Sequence, residues 1–210
     1  MNSELLLAKQ QTFLMPPVIN PESSQQSAVN HSPWNFWAYM GADQPLETTL
    51  EKVLPWLGQK LACDRVFLYL RSPYRQIGRV PFCWTRQPDM AEVYDADWKP
   101  EPPALPSQDP MFAAALQAQP SLFIDDVKTA STGVVNYEFE RQQFGHRALI
   151  HAHLCIEKKL WGILQPCVFD QPRQWHQRDR ELIEHLVGWL APLARAYVNH
   201  HVPPAEPRQL

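Results

Sequence analysis

Residues 148–175 read ALIHAHLCIEKKLWGILQPCVFDQPRQW. Two apolar runs flank a charged Glu157-Lys158-Lys159, and a Pro-Arg-x-Trp closes the second. The first run alternates up to a turn signal. The second, residues 160–169, has the length and apolar content of a strand, so the pair predicts a β-hairpin. Alternation along the first strand sets His151, His153 and Cys155 on one face.

Working outward, residues 177–199 carry apolar positions at Leu182, Leu186, Trp189, Leu190, Leu193 and Tyr197. This spacing predicts a long helix that Pro192 should bend. On the N-terminal side, residues 137–143 predict a helix and residues 121–124 a short strand ending at Asp125-Asp126. Asp109 and Pro110 supply an N-cap and a first helical residue for a helix over 111–119. Residues 87–106, Pro-rich and acidic-aromatic, are too long for an ordinary connection and suggest a lid or surface flap. Residues 65–70 and 80–85 predict two strands. Leu46, Leu50, Val53, Leu54, Leu57 and Leu61 mark a helix that Pro55 should kink or break. The order of elements predicts an α+β domain, an antiparallel sheet with helices packed on it.

Composition limits the role. The chain has 210 residues, 45% of them hydrophobic, enough for one sizeable core. Its formal net charge is only −3 and no long basic run occurs, which disfavours a phosphate-tracking nucleic-acid binder. No stretch approaches the ~20 apolar residues of a membrane span, and residues 1–10 lack the basic start of a signal peptide. The four cysteines form no CxxC pair and suggest buried thiols in a reducing compartment, so a cytoplasmic address is expected. Residues 1–32, rich in Ser, Gln, Asn and Pro, suggest a linker. A single domain is expected over 33–200, opening on an aromatic group (Trp34, Phe36, Trp37, Tyr39), with a Pro-rich tail over 201–210.

Three passages carry a family resemblance. Ala62-Cys63-Asp64-Arg65-Val66-Phe67-Leu68-Tyr69, Leu160-Trp161-Gly162-Ile163-Leu164 and Pro172-Arg173-Gln174-Trp175 occur in this order. Together they resemble the GAF domain of the phytochrome and cyanobacteriochrome type, which holds a linear tetrapyrrole. The resemblance covers about residues 46–198 and implies a GAF-like antiparallel sheet with N-terminal and long C-terminal helices. In that family a Cys-His pair upstream of the position of Ala148 attaches and packs the bilin. Asn136-Tyr137 stands there in this chain, and Asn has no thiol for a thioether bond. A family His after the Leu-Trp-Gly strand falls on Cys167, and a Val-Val-Pro becomes His151-Ala152-His153. The resemblance thus implies a pocket formed by His151, His153, Cys167, Tyr137, Asn136 and Arg147, with no covalent cofactor.

Several chemistries suit these residues. His151, His153 and Cys155, with Cys167, could ligate Zn²⁺ as a mixed N/S set or offer haem an axial ligand. Against this, i, i+2 side chains sit about 7 Å apart along a strand. Polar core histidines satisfied by neighbours are the plainer reading. Arg147, His146 and Lys128 could meet an anion or simply be solvated at strand and loop ends. A Cys167–His pair could in principle make a thiolate nucleophile, but the paired cysteines of the methionine-sulfoxide-reducing GAF subset have no counterpart, and no Gly-rich phosphate loop is present. No enzyme is expected. On the last helix, Trp189, Tyr197 and Leu193 are candidate anchors for a protein partner or a homodimer. The resulting expectation is a stand-alone, degenerate GAF module, non-catalytic and regulatory, in signalling or a photosynthesis-related process. The alternative is a small-molecule, non-covalent tetrapyrrole or metal sensor using the face of His151, His153, Cys155 and Cys167.

Overall fold

The computed structural model describes residues 44–202. The linker expected over 1–32, the aromatic group at Trp34 to Tyr39 and nearly all of the tail lie outside them.

Helix α1, Leu46–Lys60, buries Leu50, Val53, Leu54, Trp56 and Leu57 as its spacing requires. Pro55 does not break it. The carbonyl that loses a donor to this proline is that of Glu51, which is exposed and open to water. The helix stops in a Schellman turn. Cys63 N donates to Gly58 O at 2.8 Å and Ala62 N to Gln59 O at 3.2 Å, with Ala62 left-handed at φ 47°. This turn delivers the chain into strand β1, Arg65–Ser72, which pairs with β2, Ile77–Thr85. The register between them shifts opposite Tyr69, and β2 carries its extra residue there, beside Pro81. A bulge tolerates a residue without an N–H.

The sheet has six antiparallel strands in the order β3-β2-β1-β6-β5-β4. Its other members are β3 (Lys99–Pro100), β4 (Leu122–Ile124), β5 (Ala148–Ile156) and β6 (Lys159–Val168). Strands β5 and β6 form the expected hairpin. Its loop is Glu157-Lys158, both left-handed at φ 51° and 59°, a two-residue turn whose twist suits the strands. The pairing skips Trp161, the one extra residue of β6. Next to it, Gly162 lies against β1, where an added Cβ would come 2.6 Å from Tyr69 O. Only glycine fits this close approach. The β5–β6 ladder is also interrupted between Leu149↔Cys167 and Ala152↔Leu164, where Pro166 has no N–H to donate.

The sheet has two unlike faces. Val66, Leu68, Leu70, Ala148, Ile150, Ala152, Leu154 and Leu164 point to α1 and α5 (Gln177–His201) and form the main core. The long helix is continuous through Pro192, whose missing bond is to exposed Gly188. Its buried stripe is Ile183, Leu186, Leu190, Ala191, Ala194, Tyr197 and Val198. The stripe is therefore rotated from the one the large residues suggest. Two alanines lie against the sheet, and Leu182, Trp189 and Leu193 sit half-buried on the flank.

The other face is covered by α2 (Leu105–Gln108), α3 (Pro110–Leu116) and α4 (Tyr137–Gln143). The 87–106 segment is docked. Glu101 accepts from both ends of the Arg71 guanidinium, at 2.6 and 2.7 Å, and from Tyr69 Oη at 2.7 Å. Trp98 lies 4.8 Å from the Arg79 guanidinium.

Two of the sequence passages close the same end of the sheet, where β1 and β5 begin and β4 and β6 end. Asp64 accepts from Phe169 N at 3.0 Å and pairs with Arg86. Trp175 is buried, and its indole N–H donates to Ile124 O at 3.0 Å while its backbone N–H donates to Asp125 Oδ1 at 3.0 Å. Arg173 lies over the Trp175 ring at 4.4 Å and donates to Leu61 O at the end of α1. Among the described residues no helix is long and apolar enough to cross a membrane.

Candidate functional site

The face away from α1 and α5 holds a cavity of about 120 Å³. Phe67, Tyr69, Ile163 and Gln165 rise from the two central strands and His151 from β5. Met111, Phe112, Phe139, Glu140 and Phe144 close it from the helices, and Val93 and Leu105 close it from the docked 87–106 segment.

A buried charge network lies behind one wall and reaches the cavity through Glu140. Arg65 opens β1 and is only 2% exposed. Its guanidinium donates to Ala91 O at 2.7 Å and to His146 Nε2 at 2.6 Å, and it lies 4.8 Å from the Phe169 ring. Arginine only donates, so His146 Nε2 must accept, and the ring proton sits on Nδ1. That proton is donated to Glu140 Oε1. The result is a chain from a guanidinium through a neutral imidazole to a carboxylate, with no net charge. Burial holds His146 below the ordinary histidine range although Glu140 pulls the other way. Phe144 stacks on the imidazole at 5.3 Å. The second oxygen of Glu140 is buried without a partner, on a residue that lines the cavity.

The strand histidines are fixed by the same logic. His153 Nδ1 lies 2.7 Å from Gln119 O, a carbonyl that only accepts, so Nδ1 carries the hydrogen. Its Nε2 then accepts from His151 Nδ1 at 2.9 Å. His151 keeps Nε2 as an acceptor on a ring that lines the cavity. Burial pushes His151 well below its usual range, and His153 adds to the shift. Burial lowers His153 as well. Asp109 caps α3 through Met111 N at 2.9 Å and Phe112 N at 3.2 Å, and burial raises its carboxyl to about 6.

The residues expected to form the site separate into distinct places. His151 lines the cavity. His153 backs it from beyond, bonded to His151 instead of sharing an ion with it. Cys155 points to Ala115 O at 3.9 Å. Among the described residues the group of three metal-capable side chains whose ligand atoms converge within 4.8 Å is Glu47, His200 and His201. His151, His153 and Cys155 therefore do not form a ligand set. The two rings turned toward each other, and the thiol one pair further on stayed apart. Cys167 faces the same side but is sealed among Leu149, Met111 and Ile124, its thiol directed at Arg65 O. Asn136 caps α4 by accepting from Phe139 N and also donates to Gln108 O at 2.9 Å. Tyr137 is exposed, and neither lines the cavity. Arg147 is engaged at 2.7 and 2.9 Å by both oxygens of Asp126 and does not face the cavity. Tyr197 is buried, with its ring 5.5 Å from Phe82 and its hydroxyl accepting from Arg79, so it serves the chain's own core.

Sequence reading missed Arg65, Glu140, Gln165 and Asp109 as site residues. A charged residue opening an apolar strand, and a Gln inside the run 160–169, were the available signals. Glu140 had none, since it reads like its exposed neighbour Glu138.

Residues 45–192 match the GAF domain family, well over half of the 210 residues. The chain belongs to the GAF family. Solved structures agree on the fold. The phycocyanobilin-bound GAF domain from a cyanobacterial phytochrome is 19% identical at TM-score 0.61, covering 80% of this chain and 95% of that one. The GAF domain from an Acinetobacter phosphoenolpyruvate-protein phosphotransferase reaches the same TM-score at 10% identity, covering 82% and 95%. The blue-light absorbing form of the Thermosynechococcus elongatus PixJ GAF domain is 20% identical at TM-score 0.54, covering 72% and 91%. No curated protein sequence matches this GAF domain. GAF domains are in general regulatory sensor domains rather than enzymes.

Proposed function

We propose that this GAF domain is a non-catalytic regulatory module that carries no covalently attached bilin and acts by contact with another protein. The observation that carries this reading is that none of the four cysteines lines the cavity. Burial raises all four thiols, Cys63 to about 12, which suits packing rather than bond formation. The cavity, about 120 Å³, is also below the ~300–1,000 Å³ of ordinary small-molecule sites, and Glu140 stands in its lining.

One observation favours a second reading, a sensor of a small molecule. The unpartnered Glu140 oxygen and His151 Nε2 are both acceptors at the cavity wall. They suit a compact ligand with two hydrogen-bond donors and little bulk, which a tetrapyrrole is not.

Expression in a host that makes haem and bilins tests both readings. The purified chain should be colourless, and after denaturation in acidic urea no bilin absorption should travel with the polypeptide. A bilin that stays with the denatured chain sinks the first reading. A small compound released on denaturation from wild type, and missing from Glu140→Gln, would favour the second.

A further inference from the structure

The first turn of α1 and the last turn of α5 meet at a point far along the chain from the cavity residues. Three side chains converge there. Glu47, His200 and His201 offer ligand atoms that all lie within 4.8 Å of one another. His201 Nε2 is 3.7 Å from Glu47 Oε1. Donor atoms around a tetrahedral Zn²⁺ with bonds near 2.0–2.1 Å stand roughly 3.3 Å apart, so this edge needs to close by only a few tenths of an ångström.

The tautomer of His201 is already the one a metal needs. Its Nδ1 lies 2.9 Å from Tyr197 O, and a carbonyl only accepts, so Nδ1 holds a hydrogen and in the neutral ring Nε2 presents its lone pair. A backbone carbonyl on the far nitrogen is the usual way in which a metal-binding imidazole is oriented. The ring is held further by stacking on Tyr197 at 4.0 Å, and the Tyr197 hydroxyl is fixed in turn by Arg79. His200 brings the second imidazole, its ring 4.8 Å from that of His201 and nearly perpendicular to it. The Glu47 side chain keeps 47% of its surface and that of His201 28%, so an ion can enter and a fourth position stays open to solvent.

We propose that Glu47, His200 and His201 bind one divalent transition ion of the zinc type, which ties the start of α1 to the end of α5. Two imidazoles and one carboxylate suit Zn²⁺ and its neighbours, not the oxygen-seeking Mg²⁺ and Ca²⁺. The ion bridges residues more than 150 positions apart in the chain, so it binds the folded form and stabilises it.

The test is calorimetric titration of the full, metal-stripped chain with ZnCl₂, beside its thermal unfolding. One ion per chain is expected, with melting raised by roughly 5 °C or more at a hundredfold excess over Kd. MgCl₂ should give no heat. Glu47→Gln, His200→Ala and His201→Ala should each weaken binding about tenfold or more, and His185→Ala, on the same helix, should not. Affinity should fall on acidification, because the imidazoles must be neutral to bind. If His201→Ala unfolds through its lost Tyr197 stack, the two surface variants Glu47→Gln and His200→Ala decide. Absence of zinc binding, binding unchanged in Glu47→Gln and His200→Ala, or binding abolished instead by His151→Gln would each overturn the site.

Discussion

Three neutral histidines define the chemistry at the scale of single residues. His146, His151 and His153 are all held below the ordinary range by burial. Above pH about 6.5 both folded and unfolded chains leave them uncharged. Below it the unfolded chain takes up protons that the folded chain refuses, so stability falls as pH drops. Asp109 acts in the opposite sense. Its carboxyl, raised to about 6 from 3.8, holds a proton when folded and loses it when unfolded between those values. Three imidazoles outweigh one carboxyl. We expect urea unfolding to show stability falling by up to roughly 2–3 kcal/mol per pH unit between pH 6 and 5, with a shallower slope in His151→Gln. A flat profile from pH 7.5 to 5 would mean that the imidazoles are charged in the fold and that the assigned tautomers are wrong. Little of this was legible beforehand. Alternation set His151 and His153 on one face, as they are, but whether two rings ligate an ion or bond to each other depends on what lies behind them. Here that is Gln119 O, from a loop more than 30 residues away.

At the scale of elements the passages that carried the resemblance have separate mechanical duties. Leu-Trp-Gly combines a skipped Trp161 with a glycine pressed on β1. Pro-Arg-x-Trp anchors the end of the sheet. Trp175 is 2% exposed and its indole N–H donates to Ile124 O at the end of β4, so Trp175→Ala should cost about 3–5 kcal/mol in a urea melt. A loss under 1 kcal/mol would show that the anchor lies elsewhere. The hairpin, the capped α3 and α4 were all readable, since turn, cap and apolar period are local signals. The α5 stripe was misread by part of a turn. Sequence weighs large apolar residues, whereas the helix approaches the sheet through Ala191 and Ala194, where small side chains allow it.

At the scale of the whole molecule, the α+β order and the GAF fold were legible because three passages occurred in sequence. The content of the pocket was not, because it is assembled from β1, the docked 87–106 segment, α4 and the hairpin. For the contact proposed above, the flank of α5 around half-buried Leu193 is the surface we propose. Leu193→Glu should then weaken contact with a protein partner or a second copy, with the helical content checked by circular dichroism. Unchanged association would move the contact to another surface. The buried chain Arg65–His146–Glu140 has a consequence for how this molecule can change. Replacing one member leaves a buried charge without its partner, at about 3–5 kcal/mol, whereas replacing all of them with apolar groups can cost little. Such residues cannot drift singly. Homologues of this chain should therefore either keep the trio or lack it entire, a signature of epistasis that links the start of β1 to a short stretch some 75 to 81 positions later.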